Sequence, residues 1–211
     1  MRIRKCIFWL VLLSCWSSLV LAGPAEDYEA GAKAFSAGNM IDAMAPLKHA
    51  ADKGHAAAQA LLAYILDIAE FNEEAVAYYR KSAEQGNADG QFGLASMYAT
   101  GEGVAQNLDE ARRLATLAAE QGNANAVVML AQSYISGGLG LDDAARHGPE
   151  ALPWIKRAAD LDYLPALIAL SAAYGSGQYG LTTDPKMVES LDARIHKVQG
   201  KTNAENQPKK K

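Results

Sequence analysis

A five-residue motif recurs four times along the chain. It reads Ala50-Ala51-Asp52-Lys53-Gly54, Ser82-Ala83-Glu84-Gln85-Gly86, Ala118-Ala119-Glu120-Gln121-Gly122 and Ala158-Ala159-Asp160-Leu161-Asp162, at intervals of 32, 36 and 40 residues. A near-constant period of this length restricts the fold more than any compositional average, because each unit must bury its apolar face against the next. Upstream of each small pair, the residues seven and four places before its first member are Ala43 and Pro46, Ala75 and Tyr78, Ala111 and Leu114, and Ala151 and Trp154. Offsets of 0, 3, 7 and 8 trace one stripe of a helix. A degenerate fifth copy is Val188, Leu191, Ile195 and His196.

A second pattern follows each motif. Gly86 is followed by Ala88, Leu94, Ala95 and Tyr98; Gly122 by Ala124, Leu130, Ala131 and Tyr134; Asp162 by Leu164, Leu170, Ser171 and Tyr174. After Gly54 the same places hold Ala56, Leu62, Ala63 and Leu66. Glycine-containing loops close the later units at Gly101 to Val104, Gly137 to Leu141 and Gly175 to Leu181. Each unit is thus a helical hairpin, and alanine, 41 of 211 residues, supplies small side chains where helices cross closely. The expected fold is all-α: an α-solenoid of about five stacked helical hairpins. Its helices are expected at 25–37, 40–53, 55–69, 73–85, 88–100, 108–121, 124–136, 149–160, 164–176 and 185–198. The second unit has no glycine between Ile65 and Phe71, which predicts a tight turn, whereas Gly137 to Gly148 forms an expanded loop with the charged run Asp142 to His147.

The stretch from Asn87 to Gly122, with Ala88, Leu94, Tyr98, Gly101, Gly103, Val104, Ala111, Ala118, Ala119 and Gly122, resembles the Sel-one-like repeat, a longer-looped relative of the tetratricopeptide repeat. The first hairpin, with Gly31, Gly38, Ala43, Leu47 and Ala50, is closer to the plain tetratricopeptide pattern. The resemblance extends over about 25–198. It implies a curved scaffold that binds a protein or peptide partner, in exported bacterial members often tied to envelope assembly, stress signalling or host contact. It implies no catalysis.

The amino terminus reads as a secretory leader. Arg2, Arg4 and Lys5 precede an uncharged run from Cys6 to Ala22, shorter than the ~20 residues of a bilayer span, and Val20-Leu21-Ala22 suits signal peptidase. The domains expected are a leader at 1–22, a repeat domain at 23–199 and a disordered basic tail at 200–211. A retained anchor and acylation of Cys15 within Leu12-Leu13-Ser14-Cys15 remain alternatives. Cleavage after Ala22 removes both cysteines, Cys6 and Cys15, and places the product in the periplasm or outside the cell. Residues 23–199 carry a net charge of −10 and residues 200–211 one of +3. An acidic body of this kind repels polyanions, so nucleic acid is not an expected partner; membrane contact is expected only through the amino terminus or the basic tail.

No pattern for chemistry emerges. His49, His55, His147 and His196 include no metal-binding pair at i, i+4, and the glycines of 101–104 lack the lysine and preceding strand of a phosphate loop. Glu73-Glu74 and Asp109-Glu110 fall in first helical turns, where acids complement the macrodipole. No catalytic residue, metal or cofactor is assigned. Two functions remain: a monomeric, non-catalytic binding scaffold, or an envelope enzyme or cell-wall-associated subunit acting on or binding peptidoglycan. For the scaffold, the first helix of each hairpin is expected to line the groove, through Tyr28, Tyr64, Asp67, Asp89, Phe92, Val128, Gln132 and Ile168, with Phe35, Ser96, Ala99, Asn125 and Ile135 beside them. This stripe is largely apolar, and the alternative is that it packs against neighbouring first helices. As a ligand surface it suits an amphipathic segment carrying some positive charge.

Overall fold

The computed structural model describes residues 23–205. The expected leader, with Cys15 and the cleavage position, and residues 206–211 of the basic tail lie outside the described residues. Ten principal helices are present among those described: α1 Pro24–Ser36, α2 Met40–Asp52, α3 Ala56–Ile68, α4 Asn72–Glu84, α5 Ala88–Thr100, α6 Leu108–Glu120, α7 Ala124–Ser136, α9 Ala151–Asp160, α10 Leu164–Ser176 and α11 Pro185–Glu205. A short helix, α8 at Asp143–His147, and a 3-10 turn at Gln178–Gly180 occupy two of the loops. No strand occurs among the described residues.

The recurrent motif is the end of each second helix. The amide of Gly122 donates to Ala119 at 2.9 Å, and that of Asn123 donates to Ala118 at 3.0 Å, closing the helix with a backward turn. Gly122 has φ of +91°, the left-handed region that favours glycine. In the fourth copy Asp162 takes the same conformation at φ +57°. There Arg194 of α11 donates to the Asp162 carboxylate at 2.7 Å and to the Ala159 carbonyl at 2.7 Å. Side chains from the following unit also cap the earlier ends: Gln59 donates to Ala51 at 3.0 Å, and Arg157 donates to Ala119. The residue after each motif glycine starts the next helix, Asn87 accepting from Gly90 at 2.9 Å, Asn123 from Ala126 at 2.9 Å and, after Gly54, His55 from Ala58 at 3.2 Å.

Successive helices pack antiparallel, and the small pairs sit at the crossings: Ala50, Ala118 and Ala158 are fully buried. First helices also touch first helices, α1 on α3, α3 on α5 and α7 on α10, whereas second helices pack mainly on first helices and reach one another through side-chain hydrogen bonds, Tyr78 to Asp52 and Arg157 to Ala119 among them. The first helices therefore line the inner face, and the second helices splay along the outer one. The apolar interior divides into a small cluster around Ala43, Leu47, Ala58 and Leu62 and a large one from Ala63 to Leu191, with Leu66 and Tyr78 packed against both.

The turn joining α3 and α4 is tight, as its lack of glycine predicts, with Glu70 at φ +64°. Two boundaries differ from expectation. The charged loop is not wholly irregular, because Asp142 accepts from the Ala145 amide at 2.8 Å and nucleates α8, so that α9 begins at Ala151 rather than at 149. The last helix continues through residues 200–205, where tail was expected.

Candidate partner-binding groove

Ala57, Ala60, Leu61 and Tyr64 form one stripe of α3. With Tyr28 of α1, Asp89, Phe92 and Gly93 of α5, and Asn125 of α7, they line an inner-face cleft of about 280 Å³. A second cleft of about 660 Å³ opens where α5 and α7 approach each other less closely than α3 and α5 do. Its walls include Phe92 and Ala99 of α5, Asn125, Val128, Met129 and Gln132 of α7, and Tyr163. Phe92 and Asn125 belong to both clefts, so the two form one continuous groove.

A side chain from a second helix reaches this inner face. Tyr79 of α4 is only 4% exposed, yet its ring lines the smaller cleft by passing beneath Gly93. A Cβ at Gly93 would lie 2.1 Å from the Tyr79 ring, so the glycine is required by close approach. Burial, and then the nearby Asp67, Tyr64 and Asp89, push the Tyr79 hydroxyl well above the ordinary phenol range. Asp67 stands one turn beyond Tyr64 on α3. Burial, and the neighbouring Glu102 carboxylate, raise its carboxyl above the usual value. At the C-terminal turn of α3, Asp67 also faces the negative end of the helix dipole. Asp89, by contrast, lies in a first turn and accepts from Asn123 at 2.8 Å. At the far end of the groove the Tyr163 hydroxyl donates to Gln132.

The structure brings Tyr28, Tyr64, Asp89, Phe92, Val128 and Gln132 together on this groove, along with Asn125 and Ala99. Asp67 extends the α3 stripe without lining either cleft. Phe35 supports Tyr64 edge to face, with ring centroids 6.0 Å apart. Ile168 of α10 is exposed but lines neither cleft, because α10 packs on α7 beyond the groove's end. Ser96 and Ile135 are half-buried and likewise line neither. Tyr79, Met129 and Tyr163 were missed, since the sequence assigned the groove to one stripe of the first helices. The signal for Tyr79 was Gly93, a glycine inside a helix that only a close approach explains.

A cleft of similar size, about 670 Å³, lies between α6 and α9 on the outer face, lined by Arg112, Arg113, Glu120 and Trp154 among others. Its arginines are paired, Arg112 with Asp109 at 2.7 Å and Arg113 with Glu110 at 2.7 Å. Trp154 lies against the Arg157 guanidinium, 5.0 Å from ring centroid to cation. Three histidines have local roles. His49 meets Asp27 at 2.5 Å, His55 stacks on Tyr28 and accepts from the Ala58 amide, and His147 turns back to the Asp143 carbonyl. Among the described residues no group of three or more His, Cys, Asp or Glu is placed to hold a metal, and no helix is long and apolar enough to cross a membrane.

The Sel1 repeat model matches residues 72–87 and 88–123. Among solved structures, a protective antigen present in uropathogenic Escherichia coli strains, displaying an SLR fold, is 25% identical with a TM-score of 0.71; the match covers 82% of this chain and 38% of that one. This chain thus spans well under half of the antigen's length. A Sel1 repeat protein from Oxalobacter formigenes is 29% identical with a TM-score of 0.68, covering 81% of this chain and 70% of that one. A Klebsiella pneumoniae structure described as a sel1 repeat protein, 19% identical, covers 87% of this chain and 93% of that one at a TM-score of 0.59, and speaks for the fold alone. No curated protein matches the chain. The chain carries Sel1 repeats and folds as the helical solenoid that such repeats build. Sel1-repeat solenoids are typically protein-interaction scaffolds and generally non-enzymatic.

Proposed function

We propose that this chain is an exported, monomeric, non-catalytic adaptor that holds a segment of a protein partner along the inner face of its solenoid. The observation that carries this reading is the continuous groove sharing Phe92 and Asn125, with Tyr28, Tyr64, Tyr79 and Tyr163 along its walls. Aromatic side chains in a concave, mostly apolar surface are the usual anchors of peptide recognition. Tyr64 keeps 46% of its surface exposed, more than packing within the solenoid requires. Replacing Tyr64 and Phe92 together by Ser tests the proposal. Capture of envelope proteins by the crosslinked variant should fall while the melting temperature stays near that of the parent. Loss of stability with undiminished capture assigns both residues to the core and removes the groove as the ligand surface.

Export rests on the basic start, the uncharged run and Val20-Leu21-Ala22. Removal of residues 1–22 leaves α1 whole, because it begins at Pro24 with Gly23 as its N-cap. Sequencing of the protein recovered from the periplasm should begin at Gly23. A product beginning with acylated Cys15 makes it a lipoprotein instead.

A further inference from the structure

We infer that a second docking surface lies on the outer face, an apolar ridge formed by Ile41 of α2 and Phe71 at the start of α4, and that it takes a partner-protein segment combining apolar side chains with lysine or arginine. The parallel second helices bring the two residues together. Lys48 of α2 donates to the Tyr78 hydroxyl of α4 at 3.3 Å, and that hydroxyl donates to Asp52 at 2.9 Å. Ile41 and Phe71 stand seven positions before Lys48 and Tyr78 respectively, about two helical turns, so they lie side by side at the edge where α2 and α4 begin. Neither is covered: Ile41 is 89% exposed and Phe71 57%. Met40 and Ile68, also exposed, extend the patch onto the end of α3, which packs on α2.

The repeat shows that the fold does not call for these side chains. At the intervals of 32 and 36 residues that separate the first three motifs, Ile41 corresponds to Glu73 and Asp109, acids of first helical turns that complement the dipole. Phe71 likewise corresponds to Asn39 and Asn107, and Asn107 caps α6 by accepting from the Glu110 amide at 3.0 Å. With Phe71 in that place α4 starts without a side-chain cap. Two positions where a helix start favours polar side chains thus hold large apolar ones in water, which marks a contact surface. The surrounding charge selects its partner. Phe71 lines a cleft of about 500 Å³ whose charged residues are Glu70, Glu73 and Glu74, and none of the three is in an ion pair among the described residues. Gly103 closes on Asn72 so tightly that a Cβ would meet its carbonyl oxygen at 2.4 Å, which fixes the far wall. Unpaired acids repel an anionic lipid surface and attract lysine or arginine. The ridge belongs to the second helices and leaves the inner groove free.

A second copy of the chain, whose last residues include Lys209, Lys210 and Lys211, is the competing occupant. Residues 23–211 are compared with a variant carrying I41E and F71N, which gives both positions the residue types of the neighbouring units. The variant should melt no lower than the parent. A lower melting temperature assigns Ile41 and Phe71 to the packing of the fold and overturns the inference. A displayed library of random dodecapeptides is then selected on the parent after depletion on the variant, and the enriched peptides are measured by fluorescence anisotropy. They should combine lysine or arginine with apolar residues and bind the variant at least about tenfold more weakly. Joint E70Q, E73Q and E74Q changes should weaken them about three- to thirtyfold, whereas Y64S with F92S should leave them unaffected. No enriched peptide, peptides without a cationic residue, or indifference to the glutamine changes overturns the inference. Peptides lost with Tyr64 and Phe92 belong to the inner groove, and they overturn the ridge while upholding the groove. Self-association in sedimentation that I41E with F71N abolishes assigns the ridge to a second copy and overturns the partner proposed for it.

Discussion

The clefts on the two faces of the solenoid have nearly the same volume, about 660 Å³ inside and about 670 Å³ outside, and almost opposite chemistry. On the outer face the arginines are bonded to acids one helical turn away, and Trp154 lies against Arg157. Its arginines therefore have partners within the chain. The inner cleft holds Phe92, Val128, Met129 and Tyr163 without any charged pair. Size does not distinguish a binding surface from the furrow that any two neighbouring hairpins leave. What distinguishes it is side-chain chemistry that the fold does not itself use.

The substitution expected to break this contrast most severely is Gly93→Ala. The new methyl carbon would meet the Tyr79 ring at 2.1 Å, and that ring is buried against the backbone of α5. Alanine is the better helix former by about 1 kcal/mol, but overpacking costs about 1–3 kcal/mol or more when neighbours cannot yield. The expected net result is a loss of about 2 kcal/mol, measured by urea denaturation. A companion change, Tyr79→Phe, keeps the ring, and a G93A loss that persists in its presence confirms the steric cause. An unchanged midpoint for G93A would show that Tyr79 does not pass beneath α5.

Next in size is Ala118→Leu. Ala118 is fully buried where α6 crosses its neighbours, between the two faces. The larger side chain should push the helices apart at a cost of about 1–3 kcal/mol, lowering the melting temperature. An unaltered transition would mean that the crossing is not where the small pair places it.

How much of this was legible beforehand follows from what repeats and what does not. The small pair, the glycine after it and the leucine stripe recur because every hairpin faces the same packing problem, and they placed the ten principal helices to within about two residues at their starts. Groove residues are not repeated. Tyr64, Phe92 and Val128 occupy related positions on successive first helices, so periodicity located them. Tyr79 and Tyr163 come from a second helix and a connection, and Ile168 shares the periodicity without sharing the groove, because the clefts end before α10. α8 escaped notice because a five-residue helix is specified by one capping aspartate, Asp142, rather than by a stripe. The last helix runs past its expected end because continuation into Lys201 and beyond carries no apolar stripe in the sequence to mark it.

The smallest effects sharpen the contrast most, because they have opposite signs on the two faces. On the inner face, burial raises the Asp67 carboxyl, with Glu102 adding to the shift. An acid whose folded pKa exceeds its unfolded one destabilises the fold when charged, and the penalty disappears as pH falls through the folded value. Asp67→Asn should therefore raise the melting temperature slightly at pH 7. The difference from the parent should close as pH falls through the raised value toward the ordinary aspartate range, about pH 4. On the outer face Arg113 holds the Glu110 carboxyl below its usual value by donating to it. Such a group stabilises the fold above its unfolded pKa, and that contribution is lost as pH falls through the folded one. Glu110→Gln should lower the melting temperature at pH 7, by little because the pair is exposed to solvent, and its difference from the parent should also vanish in acid. Melting curves of the two variants from pH 7 down to about pH 3 thus approach the parent from above for Asp67→Asn and from below for Glu110→Gln. If both approach from below, Asp67 stabilises the free protein as the paired Glu110 does, and its buried carboxyl carries no cost to the fold.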